Sequence, residues 1–493
     1  MDQGWDIAEP RADALIESLR AFGYSPEAAV ADLIDNSISA GAKRVSVDFI
    51  WIGRDSLVRV SDDGHGMTEA ALAAAMRPGS ANPLEVRRAT DLGRFGLGLK
   101  TASFSQAREL TVVSTDAATG VTSTRRWDLD TVAVSSEWRL LRTAPEGCEI
   151  AAPASSGGTV VQWGKLDRLV GNADIDDPRA QRRLLDVATR VQRHLAVTFH
   201  RFLGGRGRIR IDINGREIQP LDPFLIDHPA TQRLESEELP FRGSLIRVTP
   251  YVLPHRSKLD DEDAERGGGV HGWNQQQGFY VYRSKRLLVP GDWLGLGMAR
   301  DEHTKLARIA IDFPSSMDHE WQVDVKKSTA RPPSELTESL RRIARATRSK
   351  AEDVYRHRGK IFVRQNSRDF VFAWHEYRGR NGELKYKVNR RHPVITALFE
   401  AAGQNRQIVE RALRFIEETV PTTMIGAAVA SAIDNQSTPF SEARRELGAL
   451  VDFAFSGLLS DGASPSEAID RIAVIEPFVY FPEVIAAFRE GKL

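Results

Sequence analysis

Four short polar or glycine-rich elements interrupt apolar helices and strands between residues 32 and 159, and they constrain the fold more than any other feature of the chain. The first is Asp32-Leu33-Ile34-Asp35-Asn36. A helix is expected over Pro26–Ile38, opened by its proline, so positions 32 and 36 share one face. A carboxylate and an amide carbonyl there can point together at a water and a Mg²⁺, an ion that takes a few oxygen ligands, waters and phosphate oxygens. The same residues also suit a helix end before Ser37. The second element, Asp62-Asp63-Gly64-His65-Gly66-Met67, follows the expected strand Ser56–Ser61. Gly64 and Gly66 let the backbone turn tightly and approach a ligand. Asp62 can accept from an adenine amino group, with Met67 over the ring. A plain strand-to-helix turn capped by Thr68 is the alternative.

The third element is Gly93-Arg94-Phe95-Gly96-Leu97-Gly98-Leu99-Lys100-Thr101, running into an apolar helix. A glycine-rich loop that opens a helix offers free N–H groups and the helix dipole to an anion. Leu99 separates Gly98 from Lys100, whereas a strict P-loop has Gly-Lys adjacent. The fourth is Gly158-Thr159 entering the strand TVVQW, where a threonine hydroxyl can join an adenine network or simply begin a strand.

Further strands are expected at Arg44–Trp51 and Leu110–Ser114, and a long helix at Pro178–Leu203. Beyond it lie strand patterns at Arg208–Asn214, Leu245–Val252, Gly278–Tyr282 and Ala307–Phe313, read as a second, mixed domain. Leu259–Gly269 reads as a soft loop, because acids followed by three glycines suit burial poorly. At 493 residues the chain has room for about three domains. The 67 Lys+Arg balance 67 Asp+Glu. That sum hides 16 Lys/Arg against 5 Asp/Glu over 341–391, and 8 against 14 from Glu400 onward. One cysteine, Cys148, excludes a disulfide framework and fits a reducing cytosol. No membrane span is expected. The N-terminus carries acids from residue 2 and no apolar run of the secretory type, so a soluble, cytoplasmic chain is expected.

Taken jointly, the four elements resemble the GHKL ATPase superfamily, shared by DNA gyrase, the heat-shock chaperone, histidine kinases, MutL and MORC proteins. Gly278–Leu288 (GFYVYRSKRLL) and Trp321–Ser328 (WQVDVKKS) extend the resemblance toward bacterial MORC/MutL-like ATPases. It implies an α+β chain: a Bergerat-fold α/β sandwich with a mixed sheet (1–205), a ribosomal-protein-like α/β transducer (206–335), and a mostly helical C-terminal region (336–493).

The implied cofactors are ATP and Mg²⁺. The implied roles are Asp32 as general base, Asn36 as metal ligand, and Asp62, Gly64, Gly66, Met67 and Thr159 around adenine. Gly93, Gly96, Leu97, Gly98, Leu99, Lys100 and Thr101 would hold the phosphates. A transducer lysine would reach the γ-phosphate, Lys326 first and Lys327 second. Met76–Leu92 would form a lid, and ATP would pair two chains.

The family has Glu where this chain has Asp32, one methylene shorter, and catalysis is sensitive to misplacement on the order of 1 Å. The expected function is an ATP-gated dimerisation switch in a DNA-associated process of antiphage or restriction type, with slow hydrolysis. DNA would contact 341–391, where basic residues interleave with Trp374, Tyr377 and Tyr386, and an effector nuclease or helicase would sit on another chain. A chaperone-like ATPase on protein clients, and a non-hydrolysing scaffold that recruits an effector, are the other readings.

Overall fold

Val45, Val47 and Phe49 alternate with polar residues along β1 (Arg44–Ile50), so one face of the strand seeks a core while the other stays polar. The computed structural model describes residues 10–21, 23–79, 98–205, 207–269, 271–324, 327, 329–356, 371–378, 384–421 and 444–491. Two compact units divide at residues 359 and 360.

In the first unit, α1 (Ala12–Arg20) and α2 (Pro26–Ser39) precede β1 and β2 (Leu57–Asp62). They are followed by α3 (Glu69–Met76), α4 (Gly98–Gln106), β3 (Glu109–Thr115), β4 (Thr122–Asp128), α5 (Leu129–Ser135) and β5 (Gly158–Gly164). Next come α6 (Pro178–Thr198), α7 (His200–Leu203), β6 (Arg210–Ile213) and β7 (Arg216–Glu217). The strands form one sheet in the order β4-β3-β5-β2-β1-β6-β7. It is mixed: β1 and β6 run parallel, the other neighbours antiparallel. The apolar face packs against α1, α2, α4 and α6 in one continuous core. The opposite face carries polar pairs such as Arg59 with Gln162 and Arg126 with Glu109. Side-chain caps define the helix starts, Ser25 for α2 and Asp177 for α6, the latter with Pro178 as the first helical residue.

The second sheet uses β8 (Gln232–Arg233), β9 (Glu237–Phe241), β10 (Ser244–Val252), β11 (Gly278–Arg283), β12 (Arg286–Asp292) and β13 (Ala307–Phe313). Its order is β12-β11-β13-β10-β8, with β9 also on β10. One face buries Phe279, Val281, Ile309 and Ile311 with Leu340, Ile343 and Ala344 of a helix at Thr337–Arg356. The other holds Phe224, Tyr251, Tyr280 and Tyr282. Burial on both faces explains the unbroken apolar run of β11.

Three sequence expectations change. The Arg208–Asn214 pattern points to the opening of the second domain, but β6 pairs with β1 and extends the first sheet. A strand's own pattern does not name its partner. Leu259–Gly269 is not a soft loop: α8 (Asp261–Gly268) forms there, because Asp260 caps it, three acids occupy the first turn, and Gly267 and Gly268 accept Trp273 closely. The helix Thr337–Arg356, α9, shares the core of the second sheet, so the break between compact units falls after it rather than at 335/336.

The second unit contains a hairpin of β14 (Trp374–Arg378) and β15 (Leu384–Val388). Helices α10 (Pro393–Ala402), α11 (Arg406–Glu418), α12 (Arg444–Ser460), α13 (Pro465–Ile472) and α14 (Pro482–Arg489) follow. Leu447, Val451, Ile472, Phe478 and Ile485 share its core. No helix among the described residues is long and apolar enough to cross a membrane.

His200 makes the first unit sensitive to acid. Its Nε2 meets the Tyr282 hydroxyl at 2.8 Å, joining α7 to β11. Burial, with Arg201 beside it, pushes the imidazole down to about 3. The folded state therefore keeps His200 neutral while the unfolded chain protonates it near pH 6.5. Stability is present above that value and lost as pH falls toward about 3, by up to ~1.4 kcal/mol per pH unit. Between pH 7.5 and 5.0 this histidine alone accounts for about 2 kcal/mol. His200→Gln should lose correspondingly less in urea unfolding over that interval; equal losses would contradict the assignment.

Candidate functional site

Two clusters lie along α2, one at Asp32 and one at its C-terminal end. At the second, Asp62 closes β2 opposite Thr159 of β5. One Asp62 oxygen accepts from the Gly64 N–H at 2.9 Å, the other from the Ser37 hydroxyl at 2.9 Å. Burial nevertheless holds the Asp62 carboxyl above the usual carboxylate range. Ser114 of β3 ties the cluster together. Its hydroxyl lies 2.9 Å from that of Thr159 and accepts from the Met67 N–H at 2.9 Å. Gly66 has φ 65°, and a Cβ there would stand 1.8 Å from the Thr115 carbonyl oxygen, so only glycine permits this path. Thr68 caps α3 by accepting from Ala71. The cap and the polar cluster therefore coexist.

The other cluster is a set of four buried charges. Asp32 is 2% exposed and Asp35 0%, although both come from one helix. Two carboxylates in such a place need cations, and both cations come from the second-sheet region. Lys327 Nζ lies 3.1 Å from Asp32 Oδ1 and 2.6 Å from Asp35 Oδ2. Arg286 donates from Nε to Asp35 at 2.9 Å and from a terminal nitrogen to the Lys327 carbonyl at 3.3 Å. The Tyr24 hydroxyl donates to Asp32 Oδ2 at 3.0 Å. Burial beside Asp32 raises the Tyr24 hydroxyl and keeps it a donor. Two acids and two cations leave this buried group neutral.

Helix α4 begins beside Asp32: a Cβ on Gly98 would lie 3.5 Å from Asp32 Oδ2. The Asp32 carboxylate therefore faces the first turn of α4, with Leu99 packed on the first core and Thr101 buried. Lys100 points elsewhere. Its ammonium donates to the Ala75 carbonyl near the end of α3, at 2.9 Å, and burial pushes it down to about 8. Asn36 is exposed, one turn from Asp32. Gly93, Gly96, Leu97 and Lys326 lie outside the described residues, as does most of the expected lid. No group of three His, Cys, Asp or Glu side chains suited to a metal occurs among the described residues.

Sequence reasoning did not assign Tyr24, Ser37, Ser114 or Arg286 to a site. Arg286 is marked by the backbone and not by the sequence. It follows a two-residue turn, Ser284-Lys285, with φ 47° and 75°, values that favour Asn or Gly in such hairpins. Side chains forced into that region often mark functional positions.

Residues 24–157 match the family of histidine kinase-, DNA gyrase B-, and HSP90-like ATPases. The chain is similar to the ATPase morc-1 of Caenorhabditis elegans, 33% identical over 89 residues, 18% of this chain and 10% of that protein. It is also similar to the DNA mismatch repair protein MutL of Dictyoglomus turgidum, 52% identical over 44 residues, 9% of this chain and 8% of that one. A third relative is MutL of Opitutus terrae, 42% identical over 72 residues, 14% and 11% of the two chains. The matched stretch thus spans about a tenth of each relative's length. Residues 24–157 thus carry a GHKL-type ATPase domain, related to those of the MORC and MutL ATPases.

Proposed function

We propose that this chain binds Mg·ATP between the Asp62 cluster and the first turn of α4 and hydrolyses it at Asp32. The observation that carries the reading is Lys327 on Asp32, a cation from the second-sheet region resting on the acid where hydrolysis would start. Adenine is held by Asp62 and Thr159, with Met67 against the ring and Gly64 and Gly66 giving the backbone access. The phosphates face the N–H groups at the start of α4, around Gly98, Leu99, Lys100 and Thr101. Asn36 would hold Mg²⁺: its amide is exposed next to the acid, and a single protein ligand suits an ion carried mainly by phosphates and water. Bound there, Mg²⁺ supplies charge neutralisation on the phosphates.

Asp32 orients the attacking water and takes its proton. Lys327 transfers its charge from Asp32 to the developing charge on the γ-phosphoryl group. Its departure frees the carboxylate that acts as base, so nucleotide entry and base exposure are coupled. The same lysine ties the second-sheet region to the nucleotide, as a transducer would. ATP then acts as a two-state switch that pairs two chains in a DNA-associated process of the antiphage or restriction type, with any nuclease or helicase on another chain.

DNA contact is best sought at the hairpin of the second unit, where Trp374 and Tyr386 are exposed and Lys385 lies beside them. Helix α9 is the poorer candidate: Arg341 pairs with Glu338, Arg342 with Glu237, and Arg348 lies over Trp293. Asn36→Ala tests the nucleotide reading. It should abolish Mg-dependent binding of an ATP analogue, measured by calorimetry with and without the metal. Undiminished metal-dependent binding would remove Asn36 from the site.

A further inference from the structure

Arg286 is a buried charged group of the Asp32 cluster for which the proposed chemistry has no task. It is the first residue of β12, 2% exposed, immediately after the Ser284-Lys285 turn with its two left-handed residues. It meets α2 through Asp35 and meets the Lys327 backbone through its carbonyl oxygen. Phe199, at the end of α6, lies under the guanidinium at 5.8 Å. Its nearest approach to Asp32 is 4.0 Å, longer than a hydrogen bond. Arg286 therefore bonds Asp35, which it shares with Lys327, and the Lys327 backbone, but not Asp32.

Lys327 itself needs such support. Its φ is 51°, the left-handed region that a side chain disfavours, and its own N–H bonds only locally, to the Asp324 carbonyl at 3.0 Å. An ammonium is a flexible point charge and does not fix its own backbone. A guanidinium is a rigid fork that can hold a carboxylate and a carbonyl together.

We propose that Arg286 is a positioning residue for phosphoryl transfer: by bridging Asp35 and the Lys327 carbonyl, it fixes the Lys327 backbone, and with it the ammonium presented to Asp32 and to the γ-phosphate. The inference rests on the reading of Lys327 as the γ-phosphate lysine. Arg286 touches neither nucleotide nor water and acts only through Lys327. Its contribution should vanish when Lys327 is already gone.

The test is a double-mutant cycle on the full chain, with kcat for ATP hydrolysis and the affinity for a non-hydrolysable analogue read side by side. Arg286→Met should lower kcat by about 30-fold or more, because the lysine loses its aim, with analogue affinity within about threefold of the parent. Arg286→Lys should rescue little, since one ammonium cannot span both acceptors. Arg286→Met combined with Lys327→Met should be no slower than Lys327→Met alone.

Penalties that multiply, or an Arg286→Met enzyme within about twofold of the parent, would overturn the proposal while leaving the reading of Lys327 intact. A Lys327→Met enzyme at full rate would overturn both. If Arg286→Met folds poorly, Arg286→Met with Asp35→Asn removes both charges and takes its place. Turnover-independent evidence comes from labelling with an amine-reactive reagent, read by mass spectrometry at Lys327 in nucleotide-free protein. Labelling should be slow in the parent and several-fold faster once Arg286 is gone; unchanged labelling would overturn the proposal.

Discussion

Asp35→Ala should lower the unfolding free energy by about 3–5 kcal/mol, the range found when one partner of a buried ion pair is removed. The carboxylate is fully buried and lies within 3 Å of both Arg286 and Lys327, so its loss leaves two buried cations with one carboxylate. An exposed pair would give at most about 1 kcal/mol, and the burial of all four groups is what separates the cases. The same logic predicts a rescue. Asp35→Ala with Arg286→Met removes one charge of each sign and should recover most of the loss, because apolar replacement of a whole buried pair is often neutral. Urea unfolding of the three proteins checks this. A loss below about 1 kcal/mol for Asp35→Ala would mean that water reaches the cluster.

Lys327→Met should reduce ATP hydrolysis by about 100- to 1,000-fold, the range measured when one preorganised group that stabilises transition-state charge is removed. Binding should change far less, since the polar cluster at Asp62, Thr159 and Ser114, proposed to hold adenine, is a separate network. Analogue affinity within about threefold of the parent, with hydrolysis near background, is the expected pattern for a group used mainly in the transition state. Loss of both together would instead make Lys327 a ground-state binding residue.

Much of the first domain was legible from sequence because its signals are local. Alternation marks β1 and β2, the β-branched segment Thr111-Val112-Val113 marks β3, and proline with a cap marks α2 and α6. Strand β4 was missed, since Thr122–Asp128 carries Arg125 and Arg126 in its middle. It is an edge strand, where charge is a common guard against mispairing. The Leu259–Gly269 region was misread because composition outweighed the Asp260 cap. Non-local facts were out of reach. The place of β6 depends on pairing with a strand more than 160 residues earlier. Arg286 meets Asp35 across 251 residues, and Lys327 meets Asp32 across 295.

The candidate site divides in the same way. Asp32, Asn36, Asp62, Gly66 and Thr159 were legible as motif positions. Their supports, Tyr24, Ser37 and Ser114, are ordinary hydroxyl residues whose importance comes from where the fold puts them. The shortness of Asp32 also gains a physical context. Tyr24 donates to one of its oxygens and would go on orienting this shorter carboxylate once Lys327 has left the other.

The central claim is that Asp32 is the base of an ATP-hydrolysing site. Phosphate release from ATP and Mg²⁺, measured side by side on the parent chain and on Asp32→Ala, tests it most directly. Release should exceed background for the parent and fall to background for Asp32→Ala, with analogue binding retained in both. Equal rates in the two proteins would contradict it.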